Sequence, residues 1–156
     1  MVELGDGLTL QPVTLEDLEA LVAIRIAAMR ESLERLGRFD PMRARARLAD
    51  HFDPSATFAI FQGSERIGFF TIRELPENLS LDHLYVMPDH QGTGVGAGVL
   101  SYIQSIGKKP ITLNALRDCA SNRFYKRHGF IQIDEDALDI YYRWEPSLKK
   151  KAESEN

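Results

Sequence analysis

Four glycines occur at alternate positions directly after a strand-like run, at Gly92, Gly94, Gly96 and Gly98. A glycine-rich turn that opens a helix brings unpaired backbone N–H groups to the positive end of the helix dipole, which suits a phosphate or pyrophosphate. A second interpretation is a tight strand-to-helix turn whose glycines only permit close packing. The glycine pattern alone leaves both interpretations open.

Two better-known phosphate motifs fit this segment badly. The nucleotide-triphosphate loop ends in Gly-Lys-Ser or Gly-Lys-Thr, whereas Gly96 is followed by Ala97 and Gly98. The dinucleotide motif needs the spacing G-x-G-x-x-G within a parallel βαβ unit, but here the spacing is G-x-G-x-G after what reads as an antiparallel meander. ATP and NAD are therefore disfavoured as ligands.

Two side chains that could accept a proton lie just before the glycines. Asp82 and His83 are adjacent in a predicted strand, so they point to opposite faces and only one can face a cleft directly. Histidine has an ordinary pKa of about 6.5, which suits proton transfer at neutral pH. Each residue also has a structural interpretation, as a surface carboxylate and as a hydrogen-bonded sheet histidine.

The elements that position these residues follow from hydrophobic periodicity, capping signals and turn residues. Arg25 interrupts the apolar stripe of the first helix, which begins at a capping box formed by Thr14 and Asp17. The predicted segments are Leu8–Gln11, Thr14–Gly37, Pro41–Asp50, Thr57–Phe61, Arg66–Arg73, Ser80–Met87, Val95–Ile106, Ile111–Leu116, Asp118–His128, Phe130–Ile133 and Asp139–Trp144. This order predicts a mixed α/β domain.

Composition limits the class of protein. The 156 residues carry a net charge of −4, which gives no reason to expect nucleic acid as a partner. No apolar run is long enough to suggest a membrane span, and a single cysteine fits a reducing compartment, so we expect a cytoplasmic location. We expect one domain over residues 1–148, followed by a charged, disordered tail at 149–156.

Two segments together resemble a known family. Leu84–Gly96 is similar to the acyl-CoA signature of the GCN5-related N-acetyltransferases (GNAT), with Gln91, Gly94 and Gly96 at its key positions. Asp118–Phe130 resembles the family's later Asn-x-x-Ala-x-x-Phe-Tyr-x-x-x-Gly-Phe motif, although Asp118 stands where the family often has Asn. The resemblance implies the GNAT fold, a mixed, mostly antiparallel sheet of six to seven strands flanked by about four helices.

The resemblance also implies acetyl-CoA as the co-substrate and no metal. Its pyrophosphate is expected on the N–H groups of residues 91–96, and its pantetheine along residues 84–86, where the N–H of Val86 can polarise the thioester carbonyl. The expected cofactor-binding residues are Leu84, Tyr85, Val86, Gln91, Gly92, Thr93, Gly94, Val95, Gly96, Asn114, Asn122 and Tyr125.

The activity implied is acetyl transfer to a primary amine by direct attack in a ternary complex. The family places its acid tyrosine at Tyr125, whose hydroxyl is expected to point away from the core if Phe124 faces inward. Asp82, four residues before Val86 where several members carry a catalytic Glu, is the preferred base, with His83 as the alternative. The acceptor is a small molecule or a peptide, and family habit suggests a homodimer. A non-catalytic acyl-CoA-binding or regulatory module is the alternative function.

Overall fold

The computed structural model describes residues 1–146, which form eight β-strands and four α-helices. The strands are β1 Val2–Gly5, β2 Leu8–Pro12, β3 Thr57–Gln62, β4 Glu65–Glu74, β5 Leu79–Val86, β6 Ile111–Leu116, β7 Ile131–Glu135 and β8 Asp139–Trp144. The helices are α1 Leu18–Arg35, α2 Pro41–Ala49, α3 Val95–Ile106 and α4 Ser121–Arg127. A mixed, mostly antiparallel α/β fold is confirmed, with one strand more than predicted. The predicted tail at 149–156 lies outside the described residues.

Backbone contacts group the described residues into two compact units. Unit 1 comprises residues 1–71 and 83–98, and unit 2 comprises residues 72–82 and those from 99 onward. Strands β4 and β5 each contribute residues to both units. None of the described helices is long and apolar enough to cross a membrane.

Unit 1 is a sheet with the strand order β1-β2-β3-β4-β5, together with helices α1 and α2. The predicted capping box is present, because the Thr14 N–H donates to the Asp17 carboxylate over 2.8 Å and Asp17 closes a 3₁₀ turn that leads into α1. Gly37, with a φ of 69°, follows the end of α1 as predicted. Asp40 caps α2, accepting hydrogen bonds from two backbone N–H groups of its first turn. The core of this unit consists of Val13, Leu21, Val22, Ile24, Leu48, Ala59 and Phe69.

A close backbone approach joins β4 to β5 in unit 1. The pairing of β3 with β4 shifts register after Ile60, which pairs with Gly68. A Cβ atom on Gly68 would lie within 3.0 Å of the Tyr85 carbonyl oxygen and 3.3 Å from the Cα of Val86. Only glycine fits here without moving backbone, so Gly68 sets how closely β5 packs beside β4.

Unit 2 has the strand order β4-β5-β6-β8-β7, with most of α3 and all of α4. Strand β6 is parallel to β5 and antiparallel to β8. Tyr142 on β8 is completely buried, and that burial raises the pKa of its phenol. Strand β7 stands last in the order and exposes all five of its residues, Ile131 and Ile133 among them.

Helix α4 is shorter than predicted. The prediction began at Asp118, but the helix starts at Ser121, because Asp118 has a φ of 64° and so lies in the left-handed region. Gly129, with a φ of 89°, follows the helix as predicted and lets the chain turn into β7.

Candidate active site

The glycine segment begins where β5 ends. The N–H of Met87 donates to the Ile67 carbonyl over 2.7 Å, and a 3₁₀ turn follows at Pro88–His90. Gly92 and Gly94 then take φ angles of 76° and 91°, which L side chains rarely adopt. A Cβ on either glycine would meet nothing within 4 Å, so the turn requires these glycines for backbone conformation and not for packing space.

Backbone donors are concentrated at the start of α3. The N–H of Gly98 donates to the Gly94 carbonyl over 2.9 Å, and this hydrogen bond begins the helical ladder, the series of i to i−4 hydrogen bonds of α3. The N–H groups of Val95, Gly96 and Ala97 therefore precede that ladder and lie at the positive end of the helix dipole. The N–H of Gln91 instead donates to the Pro88 carbonyl over 3.2 Å. This geometry can bind an anion such as a pyrophosphate.

Side chains hold this turn in shape. The Gln91 amide nitrogen donates to the Val86 carbonyl over 2.9 Å, which fastens the turn to the end of β5. The Thr93 hydroxyl donates to the His90 carbonyl over 2.5 Å, and the His90 ring lies 3.7 Å from the Glu65 carboxylate. Gln91, at the key Gln position of the signature, thus holds the glycine turn against the end of β5 in this chain.

An aromatic cluster lies on one face of β5 in unit 1. The Nδ1 of His83 is 3.3 Å from the Tyr85 hydroxyl, and the two rings are 5.6 Å apart. Phe69 on β4 packs against both, with ring separations of 6.1 Å to His83 and 5.5 Å to Tyr85. Both His83 and Tyr85 are half-buried, so the imidazole lies at the edge of an apolar surface.

Asp82, in unit 2, has both carboxylate oxygens engaged. The Arg73 guanidinium donates to Oδ2 and lies 3.3 Å from Oδ1, and the Ser80 hydroxyl donates to Oδ1 over 2.6 Å. The hydrogen bond to Asp82 raises the pKa of the Arg73 guanidinium. Both carboxylate oxygens of Asp82 thus already accept hydrogen bonds from neighbouring side chains.

Tyr125, in unit 2, has an environment that differs from the expectation. Tyr125 is buried and Phe124 is half-buried, so Tyr125 is the more buried of the two, whereas the expectation took Phe124 as the residue that faces the core. The Tyr125 ring packs edge-on against Phe130 and lies 6.3 Å from Tyr142. Tyr125, on the seven-residue α4, is buried because the rings of Tyr142 on β8 and of Phe130 after Gly129 lie beside it.

The two asparagines expected near the pantetheine differ in what they contact. The Asn122 amide nitrogen donates to the carbonyls of Leu116 and Cys119 over 2.9 and 3.0 Å, and its oxygen accepts from Tyr142 over 2.8 Å. Both amide hydrogens of Asn122 are thus used within the chain. Asn114 is exposed on β6, at the register position opposite Tyr141.

Arg25, which interrupts the apolar stripe of the first helix in the sequence, lies in the same region. Arg25 on α1 is buried, and its guanidinium lies over the Tyr85 ring at 5.5 Å. The sequence already singles out this residue, because a charged side chain is uncommon within an apolar stripe.

A family model described as an acetyltransferase (GNAT) domain matches residues 53–132, which is more than half of the chain. The chain belongs to the GNAT family. The matched range includes β5, the glycine turn and α4, so both segments recognised in the sequence fall within it. GNAT membership supports acyl transfer as the chemistry and acetyl-CoA as the donor.

Solved structures share the GNAT fold. A PaiA N-acetyltransferase from Thermoplasma acidophilum, determined in complex with coenzyme A, is 18% identical with a TM-score of 0.73, over 88% of this chain and 98% of that one. An acetyltransferase from Thermus thermophilus is 21% identical with a TM-score of 0.70, over 87% and 95% of the two chains. The comparison with curated proteins finds no match.

Proposed function

We propose that this protein transfers the acetyl group of acetyl-CoA to a primary amine, which attacks directly within a ternary complex. The glycine turn before α3 carries the proposal, because the N–H groups of Val95, Gly96 and Ala97 precede the helical ladder. Such a helix N-terminus suits the pyrophosphate of CoA. Family membership and the coenzyme A of the Thermoplasma relative support the same ligand.

The pantetheine arm is proposed to lie along residues 84–86 like an added strand. In that position the N–H of Val86 would donate to the thioester oxygen as negative charge develops there. The bond from Gln91 to the Val86 carbonyl supports this role, since it holds the strand end and the turn in a fixed relation. Of the two asparagine candidates, Asn114 takes the pantetheine contact, because the Asn122 amide is already used.

The reaction requires one bond to form and one to break. The amine nitrogen bonds to the acetyl carbon as the carbon–sulfur bond breaks; the nitrogen loses a proton and the leaving thiolate gains one. We assign proton acceptance to His83 in place of Asp82, because both Asp82 oxygens already accept hydrogen bonds from Arg73 and Ser80. Tyr125 remains the proposed acid on the strength of its motif position.

Isothermal titration tests the donor site first. Acetyl-CoA should bind saturably, while ATP and NAD serve as controls that share a phosphate but lack the pantetheine arm. Thiol release is then followed on the same preparation with a panel of primary amines. Amine-dependent thiol release would support the transferase, and an absence of acetyl-CoA binding would contradict the whole proposal.

Single substitutions separate binding from catalysis. Tyr125→Phe and His83→Gln should each reduce kcat about 10²- to 10⁴-fold with acetyl-CoA affinity kept, which is the range for loss of a general acid or base. Asp82→Asn should cost less activity than His83→Gln. Tyr102→Phe on α3 is the matched control for the tyrosine substitution and should leave kcat unchanged. A larger loss in Asp82→Asn than in His83→Gln would reverse the assignment of the base.

A non-catalytic acyl-CoA-binding module is the second candidate. The observation that favours it is the burial of Tyr125, which leaves 8% of the residue exposed. Acetyl-CoA binding without thiol release on any amine would support this candidate. A homodimer, a cytoplasmic location and a single domain over residues 1–148 stay predictions.

A further inference from the structure

A buried arginine is incompletely satisfied inside unit 1. Arg25 is 5% exposed, and its Nη1 donates to the Ala44 carbonyl over 3.0 Å. Its Nε is buried and has no hydrogen-bond partner among the described residues. A buried donor without a partner costs free energy, and a guanidinium cannot escape that cost by losing its proton.

Among residues 1–146, Arg25 also has no partner of opposite charge. No carboxylate oxygen of these residues lies within 4.0 Å, the limit for an ion pair, of a nitrogen of the Arg25 guanidinium. Burying an unpaired charge is expensive, and apolar residues occupy the neighbouring buried positions Leu21, Val22 and Ile24 of the same helix. A cation kept in such a place points to an anionic group supplied from outside residues 1–146.

The position of Arg25 indicates which molecule supplies that group. Its Cζ is 5.5 Å from the Tyr85 ring centre, and the Tyr85 ring centre is 5.6 Å from that of His83. The guanidinium and the proposed base therefore cannot be further apart than the sum of these distances, about 11 Å. Tyr85 directly precedes Val86, the proposed donor to the thioester oxygen. The cation thus lies near the proposed position of the acceptor amine.

We propose that the acceptor is a primary amine that carries a carboxylate, such as a free amino acid, and that Arg25 binds this carboxylate. The inference rests on the proposed acetyl transfer and specifies its substrate class. A guanidinium pairs with a carboxylate through two parallel hydrogen bonds, and Nε is one of the donors suited to that geometry. A cation near the amine also lowers the pKa of that amine, which favours the neutral, nucleophilic form.

Matched acceptors test the inference. Each amino acid is compared with its own carboxamide, which keeps the amine and side chain and replaces the carboxylate by a neutral group. The wild-type protein should show a kcat/KM about 10- to 150-fold higher for the amino acid, the range for a hydrogen bond to a charged group. Arg25→Met should lose this preference by a rise in KM for the amino acid, and Arg25→Lys should keep only part of it.

Arg38→Met, which removes a charge from an exposed arginine after α1, is the matched control and should keep the preference. Arg25→Met should unfold at the same denaturant concentration as the wild type or a higher one, because an unpaired buried charge gives way to an apolar side chain. An Arg25→Met variant that keeps the full preference for the amino acid would assign Arg25 a structural role and overturn the inference.

A binding measurement separates this inference from the proposed function. The amino acid should raise the melting temperature of the wild-type protein in the presence of CoA, and the carboxamide should not. Amine-dependent turnover with equal kcat/KM for both acceptors would overturn the inference and leave the acetyltransferase proposal intact. Acetyl-CoA binding with no turnover, but with the selective thermal shift abolished by Arg25→Met, would overturn the transferase while retaining the carboxylate site.

Discussion

Replacing Gly68 by alanine should displace the strand end that leads into the glycine turn. The new Cβ would lie within 3.0 Å of the Tyr85 carbonyl oxygen and 3.3 Å from the Val86 Cα. Both are backbone atoms, so rotation of a side chain cannot relieve the contact. The tip of Ile60, 3.2 Å away, can rotate, but the Tyr85 carbonyl must move by more than about half an ångström to reach an ordinary separation.

The size of the effect follows from this displacement. Overpacking of a buried position costs about 1–3 kcal/mol of unfolding free energy. In a protein of this length, that corresponds to a melting temperature lower by roughly 2–12 °C. A misplacement of about 1 Å can cost about 10²-fold in rate, so a shift of half that size at Val86 should reduce kcat/KM roughly tenfold.

Denaturant unfolding and steady-state kinetics on the same preparation check both numbers. Gly98→Ala on α3 is the matched control, because its Cβ would meet only the Leu8 side chain, at 4.0 Å. The free energy of unfolding of that variant should be higher than that of the wild type by about 0.5–1 kcal/mol, the usual difference between alanine and glycine within a helix. A Gly68→Ala variant as stable and as active as the wild type would show that the close approach of β4 and β5 does not fix the position of the strand end.

Three further predictions concern the turn and unit 2. Gly94→Ala should weaken acetyl-CoA binding measured by calorimetry, because a φ of 91° is strained for alanine. Asn122→Leu should cost about 1–3 kcal/mol in denaturant unfolding, and combining it with Tyr142→Phe should cost less than the sum, since the two side chains share a hydrogen bond. The hydrogen bond from the Tyr141 hydroxyl is the largest cause that lowers the pKa of Asp136, and hydrogen bonds from backbone N–H groups add to it. The ionised carboxylate therefore stabilises the folded state above pH 3.8, and this stabilisation is lost as the pH falls through the lowered pKa. Tyr141→Phe should therefore raise the Asp136 pKa in an NMR titration, and an unchanged value would contradict this cause.

Local signals were sufficient for most of the fold. The capping box at Thr14 and Asp17, the turn at Gly37 and the proline at the start of α2 depend on residues close together in sequence, and all three are confirmed. Strand β1 was missed although a signal existed. Asp6 and Gly7 form an Asp-Gly pair with φ angles of 54° and 78°, which is typical of a two-residue hairpin turn.

The side-chain environments of the candidate site could not be predicted in the same way. Asp82 meets Arg73 because β4 and β5 are neighbours in a particular register, which the sequence pattern does not specify. The burial of Tyr125 depends on aromatic residues of β8 and of the segment after α4. Alternation and helical periodicity indicate faces, but they do not indicate which residues on those faces meet.

The exposed strand β7 bears on the behaviour of concentrated solutions. A strand that ends a sheet offers unpaired backbone groups to other chains, and Ile131 and Ile133 add apolar side chains that are 61% and 56% exposed. At neutral pH the net charge of −4 opposes association between molecules. Near the isoelectric point of about 5.6 the net charge vanishes, so we expect solubility to be lowest there and the first aggregates to form through this edge.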